Sequence, residues 1–177
     1  RRTDQNSEQS DVLITALTQR AADRLKMSQK DFDRLAEKEQ QTTDSAATSD
    51  ESEDSEEVAS EDEAAETELD FDGAERRVFR LTPFSSSIGF YHLTADGENL
   101  IFVSYTQAGD GSYTATGYNL HHRDNDLTQL FSDLPVSYIN GAVDADENYL
   151  WLSNDYGFYK ISIWDGTVDN VYYSAQM

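Results

Sequence analysis

The sequence of 177 residues contains no cysteine, only two prolines, and 13 basic residues against 35 acidic ones. The absence of cysteine excludes disulfide bonds, thiol catalysis and zinc sites with cysteine ligands. The formal net charge of −22 argues against a nucleic-acid partner, because phosphate binding requires a cationic surface. The chain also lacks an apolar run of about 18 residues, so we expect no membrane-spanning segment.

A starting methionine and a signal peptide are also missing, and the mean hydropathy of −0.70 is low for a chain that is packed throughout. We therefore expect an unpacked part and an excerpt from a longer protein. The acidic residues are unevenly spread: residues 42–72 hold 14 of them and no lysine or arginine, whereas residues 1–41 hold eight of each sign.

Residues 42–67 (TTDSAATSDESEDSEEVASEDEAAET) are of low complexity, and Val58 is their only large apolar residue. Such a segment buries too little surface to offset the entropy of ordering. We predict a disordered acidic linker or insertion over residues 42–68. An alternative role is a tract that binds a basic partner or loosely held cations.

Residues 1–41 are predicted to form a helical segment within or flanking the β domain. Residues 10–26 carry an i, i+4 apolar stripe with Ser10 as a possible N-cap; the stripe consists of Leu13, Leu17, Ala21 and Leu25. A second helix is expected after Ser28, which stands at capping-box spacing from Asp31. The pair is either a docking hairpin or two short solvated helices.

The clearest pattern in the rest of the chain is a repeat. Residues 93–104 (LTADGENLIFVS) return about fifty residues later as residues 143–153 (VDADENYLWLS). The two copies align if Gly97 is dropped, which matches Asn99 to Asn148. Each copy is a polar turn followed by an apolar, β-prone run, and a period of about 40 to 50 residues is typical of β-propeller blades.

Residues 69–177 are therefore predicted to be mainly β and to form two antiparallel, four-stranded, blade-like units, at about 69–134 and 135–177. A first β-prone run at residues 78–82 is expected to end at Pro83, and turn signals with Asp, Asn and Gly separate eight further short β-prone runs. Two such units leave sheet edges and faces uncovered, so we expect a partial propeller whose other blades lie outside this sequence.

Three parts of the chain resemble bacterial tricorn-like serine proteases. The first is the run LDFDGAERRVFRLTP at residues 69–83, followed by the ADGENL turn, and the second is the helical segment with TQRAADRL and SQKDFDRL. The close at residues 174–177 (SAQM) is similar to the exit from the propeller in that family. Such turns also occur in TolB-like propellers.

This resemblance implies a non-catalytic propeller fragment that scaffolds a serine peptidase and gates or guides peptides to a catalytic core outside this sequence. The implied partners are a peptide or protein substrate, the remaining blades and peptidase domains, and a possible second copy of the chain. It also implies a periplasmic or cell-envelope location, with the cytoplasm as the alternative. A TolB-like interaction module without peptidase activity is the competing function.

We assign no catalytic, cofactor-binding or metal-binding residue from the sequence, and substrate-binding residues remain open. A triad of a serine among residues 85–87 with His92 and Asp96 is conceivable, but no nucleophile-elbow motif supports it. We expect His92 to be a hydrogen-bonded strand histidine. His121 and His122 are expected on opposite faces of a strand, where they do not easily share a metal.

Asp144, Asp146 and Asn148 have the spacing that begins a calcium loop, with Asp155 near its end, but Tyr149 stands where that loop requires glycine. We therefore predict a blade hairpin. The dense aromatic residues either line a peptide channel or, as we expect, pack sheet against sheet; they are Tyr105, Tyr113, Tyr118, Tyr138, Tyr156, Phe158, Tyr159, Trp164, Tyr172 and Tyr173. The pair Trp164-Asp165 lacks the Gly-His element of a WD repeat.

Overall fold

The computed structural model describes residues 9–47, 69–138, 140–155 and 157–172. Strand accounts for 47% of the structure and helix for 16%, so the protein is mainly β, as predicted. The chain divides into two compact units, one of residues 1–14 and 79–177 and the other of residues 15–78.

The unit of residues 15–78 contains the helices α1 (Gln19–Leu25) and α2 (Gln29–Ala47). Thr18 caps α1, since its hydroxyl accepts a hydrogen bond from Ala21 N at 3.0 Å. The predicted cap of the second helix is confirmed: Ser28 Oγ accepts from Asp31 N at 3.3 Å and donates to its carboxylate at 2.9 Å. Helix α2 extends past the predicted start of the acidic linker, whose remainder, residues 48–68, lies outside the described residues.

The prediction of a helix from Ser10 is wrong in its first half. Leu13–Thr15 form the strand β1, which pairs with β2 (Val78–Arg80). Val12 is buried while Leu13 is 59% exposed, which is the alternation of a strand. Leu81 N donates to Val12 O at 2.9 Å, so a partner distant in sequence supplies the ladder and overrides the weak helical stripe.

Arg77 fixes the chain that leads into β2, just after the 3-10 turn Ala74–Arg76. It is buried, and its Nε donates to Ala16 O at 3.0 Å. Its Nη1 donates to Asp72 O at 3.0 Å and to Asp70 Oδ2 at 3.1 Å. The planar guanidinium thus satisfies several acceptors at once, which the ammonium of a lysine does less well.

The other unit contains two four-stranded antiparallel sheets in which each strand pairs with the next along the chain. The first sheet consists of β3 (Ile88–Leu93), β4 (Asn99–Gln107), β5 (Tyr113–His121) and β6 (Asp126–Val136). The second sheet consists of β7 (Gly141–Val143), β8 (Tyr149–Asn154), β9 (Gly157–Ser162) and β10 (Val168–Tyr172). The two predicted groups of four antiparallel strands are confirmed. The predicted strand at residues 78–82 does form, as β2, but it pairs with β1 and is not part of the first four-stranded sheet, so the first unit begins later than the predicted residue 69.

The first hairpins of the two sheets, β3–β4 and β7–β8, align residue for residue without a gap. Leu100 pairs with the last residue of β3, and Leu150 pairs with the last residue of β7 at the same separation along the chain. Gly97 and Glu147 occupy the same turn position, with φ of 72° and 53°. The predicted alignment, which dropped Gly97, is wrong by one residue after the turn, and such a slip moves every side chain to the other face.

Each sheet has two faces, which we name by their residues. The leading face carries Leu100 and Phe102 in the first sheet and the equivalent Leu150 and Leu152 in the second. The trailing face carries the alternate positions of the same strands, which are Ile101 and Val103 in the first sheet and Trp151 and Ser153 in the second.

The first sheet is covered on both faces. Leu100 and Phe102 pack with Val12 and Leu120 in one core cluster. Ile101 and Val103 belong to another core cluster, which also contains side chains from the second sheet. These side chains are Leu150, Leu152, Ile161 and Ile163. The four central residues of β4 are all 0% exposed, so each stabilises the fold by about 1.5–3 kcal/mol relative to an exposed side chain.

The sheets stack face to face, with the first and third strands of one near the first and third strands of the other, while β6 also contacts β8. In the first strands, a Cβ on Gly141 of β7 would lie only 3.0 Å from the ring of Phe90 of β3. In the third strands, Asn119 of β5 donates from Nδ2 to the carbonyl of Ile163, just after β9, at 2.9 Å. The trailing face of the first sheet therefore meets the leading face of the second.

Candidate functional site

Three histidines and several carboxylates lie together at the end of the two sheets that holds the β3–β4 and β7–β8 turns. We call this group the turn-end cluster; its members are His92, Asp96, Glu98, His121, His122 and Glu147. Most of them belong to the first sheet and its turns, whereas Glu147 comes from the second sheet. The cluster therefore spans the contact between the sheets.

Glu147 joins the second sheet to the first. Its Oε1 lies 2.8 Å from His92 Nε2. The backbone nitrogen of Ala95 donates to both carboxylate oxygens of Glu147, to Oε1 at 3.0 Å and to Oε2 at 3.1 Å. The hydrogen bond with His92, followed by the one from Ala95, holds the pKa of Glu147 below its ordinary value of 4.5. The carboxylate is thus charged at neutral pH and clamps the β3–β4 turn.

The β3–β4 turn is also held by its own side chains. Asp96 Oδ1 accepts two hydrogen bonds, one from Thr94 Oγ1 at 2.5 Å and one from Glu98 N at 2.9 Å. The hydrogen bond from Thr94, and then the one from the Glu98 backbone, lower the pKa of Asp96 below its ordinary value. Asp96 is therefore a structural carboxylate that satisfies the turn.

His121 and His122 have separate partners. His121 ends β5 with Nε2 3.8 Å from Glu98 Oε2 and Nδ1 3.6 Å from Asp124 Oδ2. His122 begins the following turn, with Nε2 2.7 Å from the carbonyl oxygen of Gly97. Burial lowers the pKa of His122, while the Gly97 hydrogen bond opposes that effect. The expectation that both are strand residues holds for His121 and is wrong for His122.

The serine–histidine–carboxylate combination considered from the sequence is not assembled. Ser85 Oγ accepts from Arg80 Nη2 at 3.1 Å, and Ser86 bridges to Ser10 before β3 begins. His92 lies near the other end of β3 and bonds to Glu147. The expectation of a hydrogen-bonded strand histidine is confirmed.

The predicted hairpin at the second copy of the repeat is also confirmed. Asp144 Oδ1 accepts from the backbone nitrogens of Asn148 at 2.8 Å and Tyr149 at 2.7 Å, so its carboxylate closes the turn. Asp155 Oδ1 instead accepts from Ser137 Oγ at 2.6 Å. Among the described residues, no group of three or more His, Asp and Glu side chains has a metal-binding arrangement.

The aromatic residues divide between core and surface. Tyr105 is buried, Tyr113 and Tyr159 pack against the core between the sheets, and Tyr118 stacks on Phe102 with ring centroids 5.0 Å apart. Phe158 is half-buried, and Tyr156 and Tyr173 lie outside the described residues. Three remain exposed, namely Tyr138, Trp164 and Tyr172. Packing therefore accounts for part of the set, as expected.

Sequence reasoning did not single out Glu147. The available signal was its position opposite Gly97 in a gap-free alignment of the two hairpins. A glutamate at a turn position that favours glycine is uncommon, because positive φ disfavours residues with a Cβ atom. That signal marks the position as unusual, but the contact with His92 requires the packed sheets.

Comparisons with protein-family models, curated proteins and solved structures gave no match. Within the described ranges, no helix is both long and apolar enough to cross a membrane. The resemblance to tricorn-like proteases thus rests on the sequence motifs alone.

Proposed function

We propose that this chain is part of a β-propeller and acts as a non-catalytic scaffold that gates or guides peptides toward a peptidase core outside this sequence. The observation that carries the propeller part is the face-to-face stacking of two four-stranded meanders, in which β3 lies against β7 and β5 lies against the end of β9. A propeller repeats this relation around an axis. The peptidase core and the periplasmic or cell-envelope location rest on the sequence resemblance.

The turn-end cluster supports the non-catalytic part of the proposal. Glu147 is bonded to His92 and Ala95, Asp96 closes its own turn, and His122 is bonded to the Gly97 carbonyl. These bonds join the sheets and hold the turns. General acid–base chemistry instead needs a group within hydrogen-bond reach of a substrate proton.

The first strands of the two sheets are the surface on which an extended peptide would bind. Both β3 and β7 stand at an edge of their sheets in the strand order. An edge strand can bind an extended chain through backbone hydrogen bonds, and adjacent side chains select its sequence. Tyr91 of β3 is 61% exposed and is placed to make such a contact.

The test is binding of fluorescein-labelled extended peptides to the 177-residue chain, measured by anisotropy together with peptide hydrolysis. We expect binding without cleavage and a weaker affinity for Tyr91→Ala. Tyr138→Ala is the matched control, because Tyr138 is 68% exposed but lies in the loop after β6. Hydrolysis that purifies with the chain would overturn the non-catalytic assignment.

The TolB-like alternative makes a different prediction in the same assay. An interaction module should prefer a folded protein surface, whereas a peptide guide should prefer an unfolded one. A carboxymethylated, unfolded substrate protein and its native form therefore distinguish the two functions. Preference for the native form, with no effect of Tyr91→Ala, would favour the interaction module.

A further inference from the structure

The trailing face of the second sheet differs from the same face of the first in what covers it. In the first sheet, Ile101 and Val103 are 0% exposed beneath the second sheet. In the second sheet, the equivalent Trp151 and Ser153 are only half-buried, and Val171 on the same face of β10 is 41% exposed. Among its described residues, this face of the second sheet has none that is fully buried.

This face also carries a cation held over aromatic rings. Lys160 Nζ lies 3.7 Å from the ring centroid of Tyr149 and 5.8 Å from that of Trp151. Lys160 pairs with Trp151 across the strands, as Asn119 pairs with Ile101 in the first sheet. Asn119 donates its hydrogen bond to the neighbouring sheet, at the carbonyl of Ile163. Lys160 thus occupies the position from which the first sheet binds its neighbour.

We propose that the trailing face of the second sheet binds the leading face of a further four-stranded sheet of the same repeat, in the way that the first sheet binds the second. The inference rests on the proposed propeller role and names the partner surface. That surface presents large apolar side chains at the positions of Leu150 and Leu152 and an oxygen acceptor for Lys160 at the position of the Ile163 carbonyl. The argument is continuity, because the same interface already exists once in this chain.

A second copy of this chain fits the face less well than a new repeat. The leading face of the first sheet, which would have to dock there, is already covered by residues beside β1 and β2, including Val12 and Leu81. A copy would have to displace that segment or use a different face. The exposed leading face of another repeat needs neither change.

The test extends the chain by one repeat. A copy of residues 137–177 is appended after Met177, with phenylalanine at both copied tryptophans and at Trp164, so that Trp151 is the only tryptophan. We expect the acrylamide quenching constant of Trp151 to fall at least about two-fold relative to the unextended chain that also carries Trp164→Phe, because docking removes water from its ring. The control extension carries aspartate at the copies of Leu150 and Leu152 and should leave the quenching constant unchanged.

Equal quenching in both extended chains would overturn the proposal. So would protection of Trp151 that appears in the unextended chain as concentration rises, since a second copy would then be the occupant. A further measurement does not depend on the extension folding. Trp151→Glu should shift the urea midpoint of the unextended chain much less than Ile101→Glu, and equal shifts would contradict an open face. The peptide-binding test uses Tyr91 and the unextended chain, so either proposal can fail alone.

Discussion

The packing of one sheet on the other predicts a large difference between two substitutions that look alike in sequence. Gly97 and Gly166 both lie in tight turns with φ of 72°, where alanine is strained. A Cβ on Gly97 would meet no atom within 4 Å. A Cβ on Gly166 would lie 3.1 Å from both Leu130 Cα and its carbonyl carbon, and closer still to the carbonyl oxygen.

The magnitudes follow from these two environments. Gly97→Ala should cost only the left-handed backbone conformation, roughly 1–2 kcal/mol of unfolding free energy. Gly166→Ala should cost the same amount and, in addition, about 1–3 kcal/mol for overpacking against a backbone that belongs to the first sheet. Backbone atoms cannot rotate away as the tip of a side chain can, so the second sheet would have to shift.

Urea unfolding followed by tryptophan fluorescence measures both variants, and a common slope m shows that the comparison is valid. Gly111→Ala is a second control, since Gly111 has φ of 87° and open space around it. We expect the two controls to agree and Gly166→Ala to be less stable by at least about 1 kcal/mol. Equal destabilisation by all three would refute the contact of the β9–β10 turn with Leu130.

Three further predictions concern single side chains. A double-mutant cycle of Glu147→Gln and His92→Gln, measured by urea unfolding at pH 7, should give a coupling free energy of roughly 0.5–2 kcal/mol between the two side chains. The reason is the hydrogen bond that joins the charged carboxylate of Glu147 to the ring of His92. A coupling free energy below about 0.3 kcal/mol would contradict the role of Glu147 in holding the β3–β4 turn. Arg77→Lys should destabilise by about 1–3 kcal/mol, since a lysine cannot satisfy the buried Ala16 carbonyl and the part-buried acceptors of Asp70 and Asp72 together, and a cost under about 0.5 kcal/mol would argue against this network. Burial raises the pKa of Tyr105 from 10.0 to about 12, so ionisation favours the unfolded chain and stability should fall as pH rises from about 10 towards 12. Tyr105→Phe should remove the part of the alkaline loss of stability that comes from this side chain, and an unchanged alkaline transition would contradict the burial of its hydroxyl. At pH 7 the same substitution should be neutral or stabilising by up to about 1 kcal/mol, because the buried hydroxyl has no hydrogen-bond partner among the described residues.

Much of the β architecture is predictable from the sequence because its signals are local. The Asp-Gly and Asn-Asp turn signals, the β-prone runs and the period of two specify eight strands and their meander order. The cap at Ser28 is predictable for the same reason. The strand β1 is not, because its ladder partner lies more than sixty residues away and an i, i+4 stripe competes with it.

The site shows the same division. His92 is correctly expected in a strand with a hydrogen bond, and Asp144 in a hairpin rather than a calcium loop. The partner of His92 is not predictable, because Glu147 reaches it only after two sheets have packed face to face. Contacts between sheets depend on which face each residue occupies, and local patterns specify only that neighbours alternate.

The one-residue error in the repeat alignment shows how a wrong assignment of strand faces changes the interpretation of a residue. Matching Asn99 to Asn148 makes Trp151 the counterpart of Phe102, which is completely buried, and would place its ring in a core. The observed pairing makes Trp151 the counterpart of Ile101, on the face that in the first sheet binds a neighbour. A half-buried tryptophan there, beside Lys160, fits the proposed partner surface better than a poorly packed core. The functional meaning of this residue therefore depends on the strand register, and register is fixed by how many residues the turn holds.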